Sequence, residues 1–161
     1  MKLLRVIRFD QTDARVFGAA AQPDEWAISG AFAFAGSDPS SLAGKERQAF
    51  RNGWLGLSSF ARATFVSVAD ADEDIFAQCC ETLSQHFVEF YDPPEFEQAM
   101  SAATDEMNFT ADFCKDAPTN TIFTLLREFD EDGALHEEFR IIEPPSDPVH
   151  ARVWDVVEDD T

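Results

Sequence analysis

Apolar residues recur every three or four positions in two long stretches of the chain. In the first, from Asp72 to Tyr91, they are Ile75, Cys79, Leu83 and Phe87, joined by Phe76, Cys80 and Phe90. This spacing predicts an amphipathic helix, because residues three or four apart share one helix face. Pro93-Pro94 interrupts the pattern. A second stripe then predicts another helix, from Phe96 to Cys114.

Other stretches alternate between apolar and polar positions, as β-strands do. The predicted strands are Lys2–Phe9, Arg15–Phe17, Phe60–Ala69, Thr121–Phe129 and Leu135–Ile142. The last two are separated by Asp130-Glu131-Asp132-Gly133, whose Asp-Gly pair is typical of a hairpin turn.

Glu25–Ala35 shows the clearest alternation. One set of positions carries Trp26, Ile28, Gly30, Phe32 and Phe34, and the other, after Glu25, carries only alanines and a serine. Period-two segregation of bulky from small side chains predicts a strand with one face in the core. The small face would lie against a helix or remain an open, flat surface.

A shorter helix is predicted from Leu42 to Asn52. Ser41 precedes it as a possible capping residue, and Gly53 follows it.

Strands at both ends with helices in the middle predict an α+β fold. We expect a single domain over residues 1–143, with an antiparallel sheet and helices packed on one face. Residues 144–161 begin with Pro144-Pro145 and end with several acidic residues, and they are predicted to be a Pro-rich acidic tail.

Charge narrows the classes of function. The chain of 161 residues carries 31 acidic and 12 basic residues, a net charge of −19. Such a surface disfavours unaided binding to nucleic acid or to an anionic membrane, since both attract cationic surfaces. No apolar run approaches the roughly 20 residues of a membrane span. Arg5 and Arg8 interrupt the first apolar segment, so a signal peptide is not predicted.

Three cysteines, Cys79, Cys80 and Cys114, form no disulfide framework. An odd, sparse set is typical of a reducing cytoplasm. A cysteine nucleophile would have to be Cys114. Its place near the C-terminus of a predicted helix disfavours the thiolate form, because the negative end of the helix dipole raises the pKa of a thiol. The serine-hydrolase signature Gly-x-Ser-x-Gly is missing. These absences favour a protein without catalytic activity, and an enzyme stays open only as the second function considered below.

Two short motifs look like ligand sites and fail on inspection. Gly44-Lys45 lacks the first glycine and the hydroxyl residue of a phosphate-binding loop. Asp70, Asp72 and Asp74 match part of a calcium loop, but Ile75 replaces its required glycine. Both stretches are better explained as helix starts, and neither a metal nor a cofactor is predicted.

The charge is divided unevenly along the chain. Residues 1–62 carry a net charge of +2, whereas residues 63–161 carry −21. Within the first part, Lys45, Arg47 and Arg51 are spaced for one side of a helix, and Trp54 follows closely. A basic and aromatic cluster of this kind can hold an anion or an acidic partner, or it can neutralise the protein's own acidic surface.

Three segments resemble a bacterial family of small acidic proteins catalogued as a domain of unknown function. They are Leu3–Arg8, Glu25–Phe34 and Arg47–Gly56. The resemblance covers about residues 2–142 and leaves the Pro-rich tail out. It implies a bacterial, cytoplasmic, single-domain protein, and it implies no catalytic residues.

Two functions therefore remain open. The first is a non-catalytic protein-interaction module that binds another protein or forms a homodimer, with Arg47 and Arg51 against the acidic helices of a second copy. The second is a small-molecule binding protein or enzyme for an anionic ligand. Its pocket would lie beside Glu25–Ala35, with these candidate ligand-binding residues: Arg8, Trp26, Arg47, Arg51 and Trp54. The acidic surface could also serve solubility alone.

Overall fold

The structure, a computed structural model, describes residues 1–93 and 95–143. Its helices are α1 (Thr12–Val16), α2 (Gly44–Asn52), α3 (Glu73–Tyr91) and α4 (Phe96–Cys114). Its strands are β1 (Lys2–Ile7), β2 (Trp26–Ile28), β3 (Trp54–Gly56), β4 (Arg62–Ala63), β5 (Phe65–Asp70), β6 (Ile122–Phe129) and β7 (Leu135–Ile142).

The seven strands form one antiparallel sheet in the order β4-β3-β2-β1-β5-β6-β7. Strand β1 lies at its centre, where Leu4 pairs with Ala27 of β2 on one side and with Val68 of β5 on the other. The predicted α+β class with an antiparallel sheet is confirmed. The predicted tail, residues 144–161, lies outside the described residues.

Both sides of the central strand are buried. Leu3, Ile28 and Leu55 pack against the buried stripes of α3 and α4. Leu4 and Val6 point to the opposite side, because neighbouring strand residues alternate. There they join a second cluster that includes Trp54. The core therefore occupies both faces of the sheet.

The two long helices are confirmed nearly residue for residue. Asp72 precedes α3, and its carboxylate accepts the backbone N–H of Ile75 at 2.9 Å, which satisfies one of the unpaired amides at the helix start. Phe90 is an exception within the predicted stripe. It is 65% exposed, and its ring lies beside His86 of the same helix, with ring centres 4.9 Å apart.

The long strand predicted over Glu25–Ala35 is wrong beyond Ile28. Gly30 adopts a φ of 75°, in the left-handed region, and the chain turns there into a 3-10 helix from Ala31 to Phe34. A side chain at Gly30 would also meet the Cβ of Leu55 at 2.6 Å. Glycine thus ends the strand by allowing a backbone conformation that other residues avoid.

The turn at Gly30 separates two aromatic residues that the alternation placed on one face. Phe32 packs edge-on against Phe87 of α3, with ring centres 4.9 Å apart. Phe34 instead packs against Phe50 of α2, at 5.2 Å.

Three further predictions need correction. Arg15–Phe17 is not a strand, since Thr12–Val16 forms the short helix α1. Phe60–Ala69 is divided into β4 and β5 at Thr64, whose hydroxyl donates to Asp13 at 2.6 Å. Strand β3 was not predicted, because three residues are too few for a recognisable alternation.

Helix α2 begins two residues later than predicted, at Gly44, and Gly53 ends it as expected. Ser41 does not cap it. That serine closes a 3-10 turn that starts at Pro39, and Asp38 accepts the backbone N–H of Ser40 at 3.0 Å. The β6–β7 hairpin is confirmed, with Asp130 at its turn.

Candidate functional site

A fully buried arginine lies where α2, β2, β3, β6 and β7 meet. The Nε of Arg127 donates to the carboxylate of Glu137 at 2.8 Å. Its Nη1 donates to the carbonyls of Phe50 at 2.9 Å and Gly53 at 3.1 Å, and its Nη2 donates to Ser29. One side chain therefore joins segments that are 98 residues apart along the chain.

A second arginine lies beside the first. The Nη1 of Arg62 donates to the same carbonyl of Gly53, at 3.1 Å. Arg62 makes no ion pair within residues 1–93 and 95–143. Burial, together with the charge of Arg127, lowers the pKa of Arg62 to about 9. The two guanidinium groups are therefore balanced by one carboxylate, that of Glu137.

A cleft of about 220 Å³ opens beside Arg127, and we call it the α2 cleft. Arg47 and Arg51 of α2 line it, together with Arg127 and Glu128 of β6. Its apolar walls are formed by Pro39, Leu42, Phe50 and Phe129. The rings of Phe50 and Phe129 are stacked 4.6 Å apart, so this wall is flat and firmly packed.

The exposed arginines of the cleft carry free charges. Arg47 and Arg51 are both exposed and one helical turn apart. Neither makes an ion pair with any carboxylate in the described part of the chain. The α2 cleft is therefore a positively charged, partly apolar depression on a protein of net charge −19.

The second surface is formed by α3 and α4, which we call the helical pair. Together these helices carry eight carboxyl groups and no lysine or arginine. Large apolar side chains are exposed near the junction of the two helices: Phe90 is 65% exposed, Tyr91 45% and Phe96 56%. The helical pair thus combines negative charge with exposed aromatic rings.

An apolar groove of about 260 Å³ runs beside these aromatic residues. It is lined by Phe32, Phe87, Tyr91, Pro93, Gln98, Ala99, Ala102 and Glu106. Burial raises the pKa of Glu106, and the nearby carboxylates of Glu137 and Asp105 raise it further.

The raised pKa gives a testable prediction for the substitution Glu106→Gln. A carboxyl whose folded-state pKa exceeds its unfolded value of about 4.5 destabilises the fold when ionised, so glutamine should stabilise the protein at neutral pH. The expected gain is up to about 1 kcal/mol, because solvent screens the partly exposed group.

Urea unfolding at pH 7 measures this gain. Asp112→Asn, at an exposed residue of the same helix, is the control and should change stability by less than about 0.5 kcal/mol. An equal gain in both variants would show that net charge alone, and not the site of Glu106, sets the effect.

The cysteines are free and buried. Burial raises the pKa of Cys79 to about 11 and that of Cys114 to about 12. Both thiols are thus protonated at neutral pH and are poor nucleophiles.

The five predicted ligand-binding residues do not share one cavity. Arg47 and Arg51 line the α2 cleft. Trp26 lies on another part of the sheet, with the guanidinium of Arg5 4.8 Å above its ring. Trp54 is buried and stacks on Phe139. Arg8 donates to the carbonyl of Ala21.

The sequence prediction missed Arg127 and Glu137, although the signal was present. Arg127 lies on the same side of β6 as Phe123, Leu125 and Phe129, because residues two apart in a strand share one face. The hairpin register pairs it with Glu137. A charged residue on the apolar side of a strand, with an opposite charge across the hairpin, indicates a buried ion pair.

Within residues 1–93 and 95–143, no three or more His, Cys, Asp or Glu residues are grouped so that they could hold a metal ion. Among the helices that the structure describes, none has the length and apolar character needed to cross a membrane.

No curated protein and no solved structure matches the chain. A family model does match, and it spans residues 1–155. The match includes the three segments that carried the resemblance and extends past residue 142 into the Pro-rich stretch. The chain therefore belongs to DUF6505, a family of unknown function.

Proposed function

We propose that this protein is a non-catalytic interaction module that self-associates. The α2 surface of one copy, formed by the exposed residues Lys45, Arg47 and Arg51, contacts the helical pair of another. One observation carries the proposal. Exposed arginines that make no ion pair among the described residues, and two acidic helices without a single lysine or arginine, occur on the same chain. Each surface supplies the charge that the other lacks.

Charge complementarity favours this arrangement over other contacts between two copies. Chains of net charge −19 repel one another at most orientations. Lys45, Arg47 and Arg51 form an exposed basic group on α2, so an approach through this surface is favoured. Complementary charge of this kind selects the partner and its orientation more than it sets affinity.

The exposed aromatic residues give the contact an apolar centre. Phe96 lies between Glu95 and Glu97, so a ring and two carboxylates project from the same turn. The α2 cleft offers the matching groups, an apolar wall at Phe50 beside the guanidinium of Arg51. Aromatic side chains are enriched at interface cores, and arginine binds favourably over aromatic faces.

Two-fold symmetry would use both surfaces twice. Because each copy carries an α2 surface and a helical pair, a closed dimer places each α2 against the partner's helices. The proposal therefore predicts a dimer.

The first test is sedimentation velocity of the full chain at physiological ionic strength. We expect the wild type to dimerise and Arg51→Glu to weaken the dimer at least tenfold, because it places a carboxylate against the acidic helical pair. Lys115→Glu is the matched control, since this exposed lysine lies just past α4 and outside both surfaces, and it should leave the dimer intact.

A charge-swap experiment makes the test specific. The double variants Arg47→Glu/Arg51→Glu and Glu89→Lys/Glu97→Lys should each be monomeric. Mixed together they should form a heterodimer, because one reversed contact is restored. A wild-type protein that is monomeric at every concentration, or a mixture that does not associate, would overturn the proposal.

We also infer that the protein works in a bacterial cytoplasm. Three free, buried thiols support a reducing compartment, in which such cysteines persist without pairing. Their raised pKa values also support a role without thiol catalysis.

A further inference from the structure

We propose that the α2 cleft is also a binding site for a small organic anion, a carboxylate carried on a flat apolar body. This goes beyond self-association and assigns a ligand class to a cleft whose exposed arginines make no ion pair in the described part of the chain. The proposal rests on the charge at the rim, the charge beneath the floor and the shape of the walls.

Within residues 1–93 and 95–143, the two arginines at the rim of the cleft make no ion pair. Arg47 and Arg51 stand four residues apart on α2, where like charges repel and slightly destabilise the helix. A carboxylate bound between them would convert this repulsion into two charge-assisted hydrogen bonds. Arginine suits this role, because its planar guanidinium can grip both oxygens of a carboxylate.

The floor adds positive charge from below. Arg127 lines the cleft, and Arg62 lies behind it on the shared carbonyl of Gly53. Only Glu137 balances this buried pair among the described residues. The N–H groups of Arg127 are already bonded to other groups of the protein. Arg127 therefore attracts an anionic ligand through its positive charge, whose electric field water screens only weakly at a buried site.

The walls favour an organic ligand over an inorganic one. The stacked rings of Phe50 and Phe129 and the side chain of Leu42 offer apolar surface that a phosphate ion cannot use. At about 220 Å³, the cleft is smaller than the roughly 300–1,000 Å³ of drug-sized sites. It therefore fits a molecule the size of a single ring with one carboxylate.

Glu128 opposes anion binding, since its carboxylate lines the same cleft. Substitutions of Glu128 and of the rim arginines should therefore change the affinity for an anion in opposite directions. Removing the charge of Glu128 should strengthen binding, whereas removing either rim arginine should weaken it.

Isothermal titration with benzoate tests the site in the full chain at low ionic strength. We expect a dissociation constant in the millimolar range or below, and at least tenfold weaker binding of benzamide, which has the same shape without the charge. Inorganic phosphate, which has charge without an apolar body, should also bind more weakly than benzoate.

Three variants test which side chains of the α2 cleft affect benzoate binding. Arg47→Gln and Arg51→Gln should each weaken benzoate binding about tenfold, and Glu128→Gln should strengthen it severalfold. Lys115→Gln is the control and should leave it unchanged. The site would be overturned by equal binding of benzamide and benzoate, by an equal loss of binding in the Lys115 control, or by no heat at saturating benzoate. Phosphate that binds as tightly as benzoate would overturn the assignment to an organic anion.

Self-association uses the same arginines, so the titration is repeated on Glu89→Lys/Glu97→Lys, whose changes lie outside the α2 cleft. Benzoate binding in a wild type that proves monomeric would overturn the dimer and support the ligand site. A wild type that dimerises, together with a monomeric Glu89→Lys/Glu97→Lys variant that binds no benzoate, would do the reverse. If both proposals hold, benzoate should dissociate the wild-type dimer.

Discussion

Replacing Arg127 with methionine is expected to lower the free energy of unfolding by about 3–5 kcal/mol. The wild-type guanidinium is fully buried and donates to Glu137 and to the carbonyls of Phe50 and Gly53. Methionine fills a similar volume but removes the positive charge beside the Glu137 carboxylate and the donor to the Phe50 carbonyl, while Gly53 keeps only its bond from Arg62. Unpaired buried groups cost far more than the net strength of the bonds they had made.

A matched control lies on the same hairpin. Arg140 pairs with Glu138 at 2.8 Å, the same distance as Arg127 and Glu137, but its side chain is 65% exposed. Arg140→Met should therefore cost less than about 1 kcal/mol. Urea unfolding at pH 7 compares the two variants. Equal losses would show that burial of the Arg127 pair has no special energetic consequence.

The second large effect is expected for Glu25→Gln. One carboxylate oxygen of Glu25 accepts the backbone N–H groups of Ser58 at 2.9 Å and Ser59 at 2.8 Å, and the other accepts that of Gln22 at 2.6 Å. A neutral amide offers one acceptor oxygen in place of two and directs an NH₂ group at a donor. The expected cost is about 2–3 kcal/mol at neutral pH.

The same contacts give this cost a pH dependence. Burial raises the pKa of Glu25, but the backbone N–H donors outweigh burial and leave it below its ordinary value of 4.5. A depressed folded-state pKa stabilises the fold above the unfolded value, and this contribution is lost as pH falls through the folded value.

The stability difference between wild type and Glu25→Gln should therefore stay constant above about pH 4.5 and shrink below it. Urea unfolding of dilute protein across this range measures it, and the exposed residue Glu131 provides the control substitution Glu131→Gln. A difference that grows on acidification would contradict the assigned direction of the pKa.

The parts of the fold predicted correctly are those with long periodic patterns. Helices α3 and α4 each span 19 residues, and the β6–β7 hairpin has two strands of eight residues around an Asp-Gly turn. In such elements many positions agree, so one atypical residue such as Phe90 does not change the assignment.

The errors occurred where a few residues decide the local structure. Gly30 lies inside an alternating pattern that reads as one strand, and its positive φ cannot be seen in that pattern. Strand β3 is three residues long, and its pairing depends on neighbours distant in sequence. Tertiary contacts determine such segments more than their own composition.

The candidate site was predicted in part, for the same physical reason. Arg47 and Arg51 share a helix face, and helical spacing alone brings them to one cleft. Trp26 and Trp54 lie on different strands and Arg8 follows the end of β1, so only the sheet order decides whether such residues meet. Arg62 of β4 and Arg127 of β6 reach the same carbonyl from strands that are not neighbours in the sheet, which local patterns cannot reveal.

The place of β1 in the sheet has a consequence for synthesis on the ribosome. Among the described strands, the central one is made before the others, and its longest partner, β5, ends only at Asp70. Until that residue leaves the exit tunnel, one side of β1 presents unpaired backbone N–H and C=O groups next to Leu3 and Leu4. Exposed strand edges of this kind associate readily with other chains. During this period, a chaperone bound to β1 would prevent its unpaired side from associating with other chains.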